Sequence, residues 1–200
     1  MPDFATYYRD LAEWEGSTTI DLIAPWEATD VESISNDFRQ AFRHEEFWAT
    51  PLLIAPGISN QSIGNKIAEY FVRNINLRLR AFQVQDCSGA GYPDKTLAGQ
   101  TDRRCFAFEL KATSEFDAND SNRIVLTSSS QKLRQRFRPP ICHLLGTACY
   151  VLTGTEITIE TFRLDFLEPT TQVNVRLEAS VSQKSLARAG HRSLCIDAAP

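Results

Sequence analysis

Several common functional signatures are missing from this chain. No apolar run approaches the roughly 18 residues that a bilayer helix needs. The opening segment, MPDFATYYRDLAEWEG, is acidic and has no apolar core of the kind a secretion signal requires. No CxxC pair occurs, and the five cysteines (Cys87, Cys105, Cys142, Cys149 and Cys195) are scattered and odd in number. That pattern argues against a zinc site and fits reduced, buried thiols in a cytoplasmic protein. There is no internal repeat and no low-complexity tract.

What is present suits a single globular domain. Two hundred residues, 42% hydrophobic and 23% charged, are enough to bury a real core in one domain, 1–200. The net charge of −4 speaks against a polyanionic partner only until its distribution is read. Residues 1–50 carry 11 acids and 3 bases, and residues 51–120 carry 8 of each. Residues 121–155 carry five bases, Arg123, Lys132, Arg134, Arg136 and Arg138, and no acid. A nucleic-acid partner needs a local positive face, not a positive total.

Residues 2–15 place Phe4, Tyr7, Tyr8, Leu11 and Trp14 on one helical stripe. Residues 17–29 read as irregular or partly extended. Asp30 is positioned to cap a second helix over about 31–48, with Phe38, Ala41, Phe42 and Phe47 inward. This acidic region, 1–58, is assigned to packing, or else to a subunit contact. A connector rich in Pro and Gly covers 51–60. Ser59 or Asn60 then caps a helix over about 61–80, with Ile63, Ile67, Phe71 and Ile75 as its buried stripe. Gly64 inside that helix costs stability and points to close approach by DNA or another backbone.

Alternation over 81–87 gives a strand, and 88–91 a turn. Residues 117–122 read as a polar loop and 123–127 as a short strand. Ser128, Ser129 or Ser130 caps a basic helix, QKLRQRFR, which Pro139 and Pro140 end. Lys132, Arg134, Arg136 and Arg138 fall at every second residue, so they spread around that helix. Phosphate contact is the natural use of such forks. A solvated helix balancing the acidic N-terminal region is the alternative. Residues 141–152 read as a central strand, with His143 a satisfied core histidine. Residues 156–167 read as a strand alternating at Ile157, Ile159 and Phe162, and 171–180 as a further strand. The tail from Ser182 reads as a final helix or a frayed end.

The chemistry concentrates in residues 92–111, YPDKTLAGQTDRRCFAFELK. Phe106, Phe108 and Leu110 point one way, while Ala107, Glu109 and Lys111 point the other. That is a half-buried strand with an acid and an amine on its polar face. A turn over 98–102, in which Asp102 is a turn residue, centres a hairpin between Thr101 and Asp102. This register sets Asp94 opposite Glu109, with Cβ atoms roughly 5 Å apart. Two facing carboxylates repel unless a positive charge lies between them. A hard divalent cation does that, and Mg²⁺ is commonly held by one or two carboxylates plus phosphate oxygens. The residues themselves therefore suggest metal-assisted phosphodiester hydrolysis.

Pro93-Asp94 followed by Glu109-Leu110-Lys111 resembles the PD-(D/E)xK nuclease signature, and within it the type II restriction endonucleases. The order helix, strand, hairpin, basic segment, strand over about 60–155 resembles the core of that family. It implies an α/β fold with a mixed central sheet flanked by helices. Residues 1–58 and 156–200 have no counterpart in the resemblance. It further implies that Asp94, Glu109 and the Leu110 carbonyl hold Mg²⁺, and that Lys111 positions the attacking water. Many such enzymes offer a Glu from an early helix, which QSIGNKIAEYF resembles. Glu69 is that residue here, or else a solvated helix residue between Lys66 and Arg73.

The expected activity is site-specific cleavage of double-stranded DNA, leaving 5′-phosphate and 3′-hydroxyl ends. Thr113, Ser114, Arg123, Ser130, Lys132, Arg134, Arg136 and Arg138 are the expected DNA contacts. A small enzyme that cuts a palindrome needs two copies, so a homodimer is expected. The rivals are a repair nickase or junction resolvase with the same core, and a DNA-binding module whose carboxylates are structural.

Overall fold

The computed structural model describes residues 3–17, 22–43, 48, 51–89, 91–114, 130–171, 173–174, 185–186 and 192–197. In chain order its elements are α1 (Phe4–Trp14), α2 (Ala28–Phe42), β1 (Leu52–Leu53), α3 (Asn60–Asn76), β2 (Phe82–Asp86), β3 (Lys95–Gly99) and β4 (Cys105–Thr113). There follow α4 (Gln131–Arg136), β5 (His143–Thr153), β6 (Glu156–Leu167), β7 (Val173–Asn174), β8 (Ser185–Leu186) and β9 (Arg192–Asp197). Six strands run in the order β1-β6-β5-β4-β3-β2, and β9 joins the same sheet by pairing with β6. β4 and β5 are parallel, and the other pairs are antiparallel. β7 and β8 form a separate ribbon. No helix among the described residues is long and apolar enough to cross a membrane.

Helices cover both faces of the sheet. On one face Ile34, Phe38 and Phe42 of α2 and Ile63, Ile67, Phe71 and Ile75 of α3 pack on Phe106, Phe108 and Leu110 of β4. Each such side chain contributes roughly 1.5–3 kcal/mol on burial. On the other face Phe4, Tyr7, Tyr8 and Leu11 of α1 and Leu133 of α4 pack with Ala107 and Leu145. The fold is thus α/β with a mixed central sheet flanked by helices, as the sequence implied. The alternation in β4 sorts its side chains between two cores. Phe106 to Leu110 are all buried, which corrects the expectation of a half-buried strand at Glu109, while Lys111 on the same polar face stays partly exposed.

Ser59 caps α3, its hydroxyl accepting the Ser62 N–H at 3.2 Å. Asp30 does not cap α2. That helix starts earlier, at Ala28, and Asp30 pairs instead with Arg104 at 2.8 Å. α3 stops at Asn76 rather than near 80, because the Asn76 amide turns to β2. It donates to the Val84 carbonyl at 2.7 Å and accepts the Val84 N–H at 2.8 Å, completing that edge strand. A methyl built on Gly64 meets nothing within 4 Å, so no backbone among the described residues requires a glycine there.

Asp37 is buried and accepts the N–H groups of Arg80, Ala81 and Phe82 at 2.9–3.0 Å. The alternation in β6 slips by one residue at Phe162 because the β5–β6 register shifts between Cys149 and Tyr150. Ile157 and Ile159 before the shift then face the same core as Phe162, Leu164 and Phe166 after it. The tail was expected to be a helix or frayed, but Arg192–Asp197 is a strand against β6. Of the strand expected over 171–180, Thr171 and Val173–Asn174 are described, and only Val173–Asn174 of these is a strand. Phe47, the 117–122 loop and the strand expected over 123–127 lie outside the described residues.

Candidate active site

The hairpin has the expected register. Lys95 faces Phe108 and Ala98 faces Cys105, so one further step sets Asp94 against Glu109. There the Asp94 N–H donates to Glu109 Oε2 at 2.8 Å. Two residues along β4, Lys111 Nζ lies 2.8 Å from Glu109 Oε1. Glu109 is 2% exposed, Asp94 is exposed, and the Lys111 side chain is 28% exposed. The cluster therefore runs from a buried carboxylate out to a solvent-facing one. Burial pushes the Glu109 carboxyl up to about 7, with Lys111 opposing the rise and Asp94 adding to it.

The donor set fits a hard divalent cation. Asp94 and Glu109 both offer carboxylate oxygens, the ligands Mg²⁺ takes. Each Glu109 oxygen accepts one of the bonds above and keeps a further lone pair. A cation between Asp94 and Glu109 would also favour the ionised form that burial resists.

The segment that delivers Asp94 is anchored from beneath. Tyr92 is buried and stacks on His143, with ring centroids 5.6 Å apart and planes 4° from parallel. His143 Nε2 donates to the Leu22 carbonyl at 2.6 Å, which leaves Nδ1 to accept the Tyr92 hydroxyl at 2.7 Å. Burial holds this histidine neutral, down at about 4. It is the satisfied core histidine that the sequence suggested. Asp102 is the expected turn residue, bonding the Arg104 backbone and guanidinium.

Other expected site residues fall elsewhere. Glu69 is exposed on α3, whose packed stripe lies on the opposite sheet face from Ala107. Among the described residues no three His, Cys, Asp or Glu side chains converge on one point, so Glu69 does not join Asp94 and Glu109. Ser114, Arg136 and Arg138 are exposed and Arg134 is half-buried. Thr113, Ser130 and Lys132, also expected to contact DNA, are buried. Ser130 does begin α4, yet its side chain does not cap it. Its N–H and hydroxyl go to the Glu15 carboxylate instead. Arg123 lies outside the described residues.

The roles of Tyr92, Asp37 and Lys132 escaped the sequence reading. Only Tyr92 carried a signal, its place immediately before Pro93-Asp94.

No protein-family model matches this chain, and no curated protein matches it. Among solved structures it is similar to the restriction endonuclease BglI bound to its DNA recognition sequence, with 13% identity and a TM-score of 0.39 over 97% of this chain and 89% of that one. At those values no residue role transfers from one chain to the other.

Proposed function

We propose that this protein is a Mg²⁺-dependent endonuclease of the type II restriction kind, with a PD-(D/E)xK core, acting on a specific sequence in double-stranded DNA. The observation that carries this reading is the meeting of the Asp94 backbone N–H and the Lys111 ammonium on the Glu109 carboxylate, each at 2.8 Å. Asp94 and Glu109 would hold the ion, with the Leu110 carbonyl as a further oxygen. When bound, the ion supplies a positive charge that polarises the phosphoryl group and acidifies water. Lys111 orients the attacking water and balances charge that builds on the phosphate oxygens. The water oxygen bonds to phosphorus as the bond to the 3′ oxygen breaks, leaving a 5′-phosphate and a 3′-hydroxyl. Ser114, Arg123, Arg134, Arg136 and Arg138 contact the backbone phosphates. Two copies act as a homodimer, one cut per strand, in the cytoplasm.

The test is incubation with a sequenced phage DNA and Mg²⁺, followed by mapping of the ends. Double-strand ends at fixed sites support the reading. Nicks, or cuts confined to branched DNA, mark a nickase or resolvase instead. No metal-dependent cleavage of any DNA leaves a binding module with structural carboxylates.

A further inference from the structure

Lys132 belongs to α4 and is 8% exposed. A buried ammonium gives up its hydration and persists only where other dipoles replace the water. Here Nζ donates to the Gly89 carbonyl at 2.9 Å and to the Gly91 carbonyl at 2.7 Å. Both carbonyls lie in the loop over 88–93, which leads from β2 into Asp94. The ladder holds the ends of that loop. Asp86 pairs with Lys95, and the Cys87 N–H donates to the Asp94 carbonyl at 2.9 Å.

Between those ends Gly89 and Gly91 have φ of 108° and 85°, a backbone shape that glycine adopts at little cost. It turns two carbonyl dipoles toward one place, where they repel each other unless a positive charge lies between them. Arg136, one turn further along α4, bonds the Ser88 hydroxyl at 2.5 Å. Tyr92 pins the far side of the loop on His143.

We propose that Lys132 is a positioning residue for Asp94. From α4 it holds the 88–93 loop and so sets where the Asp94 carboxylate stands against Glu109. This rests on the reading of Asp94 as a metal ligand. It sets Lys132 apart from the arginines proposed to contact phosphate, of which Arg136 also bonds Ser88 in the same loop. Any shift of α4 is then felt at Asp94 through two carbonyl contacts.

A phosphate contact and a positioning residue leave different signatures. Loss of a phosphate contact lowers the salt slope of DNA binding by about 1. Loss of a positioning residue leaves that slope alone and raises the metal requirement about 10-fold or more. The experiment compares wild type, Lys132→Met and Lys132→Arg on one DNA. Lys132→Met is expected to keep the wild-type slope in Ca²⁺ and the wild-type KM for DNA. It is also expected to need about ten times more Mg²⁺ for half-maximal cleavage and to lose kcat. Lys132→Arg, which keeps the charge and its donors, recovers part of the loss. A slope lowered by about 1 with an unchanged Mg²⁺ requirement overturns the proposal, as does a variant that changes neither.

Should Lys132→Met fail to fold, the wild-type protein gives the answer. A buried, hydrogen-bonded ammonium exchanges its protons slowly and gives a ¹⁵N–¹H signal at neutral pH that exposed lysines lack. Loss of that signal in Lys132→Arg assigns it, and its absence from wild type overturns the proposal. If wild type cuts no DNA, the nuclease reading falls by itself. Amide exchange over residues 88–94 then decides for Lys132: it speeds up in Lys132→Met, or the positioning role is wrong.

Discussion

The backbone N–H of Asp94 donates to the Glu109 carboxylate at 2.8 Å, across 15 residues of sequence. The bond ties the exposed end of the hairpin to a carboxylate that is almost wholly buried. It makes the two acids neighbours before any ligand arrives, so their mutual repulsion is overcome in folding and not at the moment of binding. Lys111, on the other oxygen of Glu109, completes a cluster in which each member restrains the next.

The packing that supports this hairpin depends on Gly146. A methyl built there would lie 2.8 Å from Phe162 Cζ and 2.9 Å from the Phe108 ring. Phe108 is the immediate neighbour of Glu109. Gly146→Ala is therefore expected to destabilise the protein by about 1–3 kcal/mol through overpacking. Urea denaturation measures it, and an unchanged midpoint would contradict this account of the core.

His143 makes stability depend on pH in a defined window. Burial lowers its pKa from 6.5 to about 4 in the folded chain. As pH falls through 6.5 the unfolded chain takes up a proton that the folded chain refuses until about 4. The contribution is thus fully present above 6.5 and is lost as pH falls toward 4, by roughly 3 kcal/mol. Denaturation of wild type and His143→Gln at pH 7 and pH 4 checks this. The stability gap between them should shrink by about that amount, and a constant gap contradicts it.

The exposed arginines are expected to behave unlike Lys132. Arg136→Ala and Arg138→Ala should each reduce the salt slope of DNA binding by about 1 and leave the preferred sequence unchanged. Fluorescence titrations between 50 and 200 mM salt measure the slope. Slopes equal to wild type would remove α4 and its flank from the DNA-binding face.

The proposed dimer is checked by sedimentation. A homodimer on cognate DNA, with one site cutting each strand, is expected. A monomer both free and on DNA that still makes double-strand cuts efficiently would contradict it.

The hairpin was legible because its partners are close in sequence, and alternation together with one turn fixes a register. Asp94 opposite Glu109 followed from counting. The second core was not legible, because the polar face of β4 reads the same whether water or α1 and α4 cover it. Lys132 shares the spacing of Arg134, Arg136 and Arg138, so composition could not separate a buried brace from a phosphate contact. What distinguishes it is a pair of carbonyls more than forty positions away. Asp37 was hidden for the same reason, since its partners are N–H groups at residues 80–82. The slip at Phe162 was visible in the pattern, and the β5–β6 bulge is its cause.

The central claim is that Asp94, Glu109 and Lys111 form one catalytic unit. Its most direct test is single-turnover cleavage of one DNA by wild type, Asp94→Ala, Glu109→Ala and Lys111→Ala in Mg²⁺, with gel shifts in Ca²⁺ alongside. Each substitution is expected to slow cleavage by at least about 10²–10³-fold while sequence-specific binding survives. If Asp94→Ala and Lys111→Ala both cut at the wild-type rate, the hairpin is structural and the nuclease account is wrong.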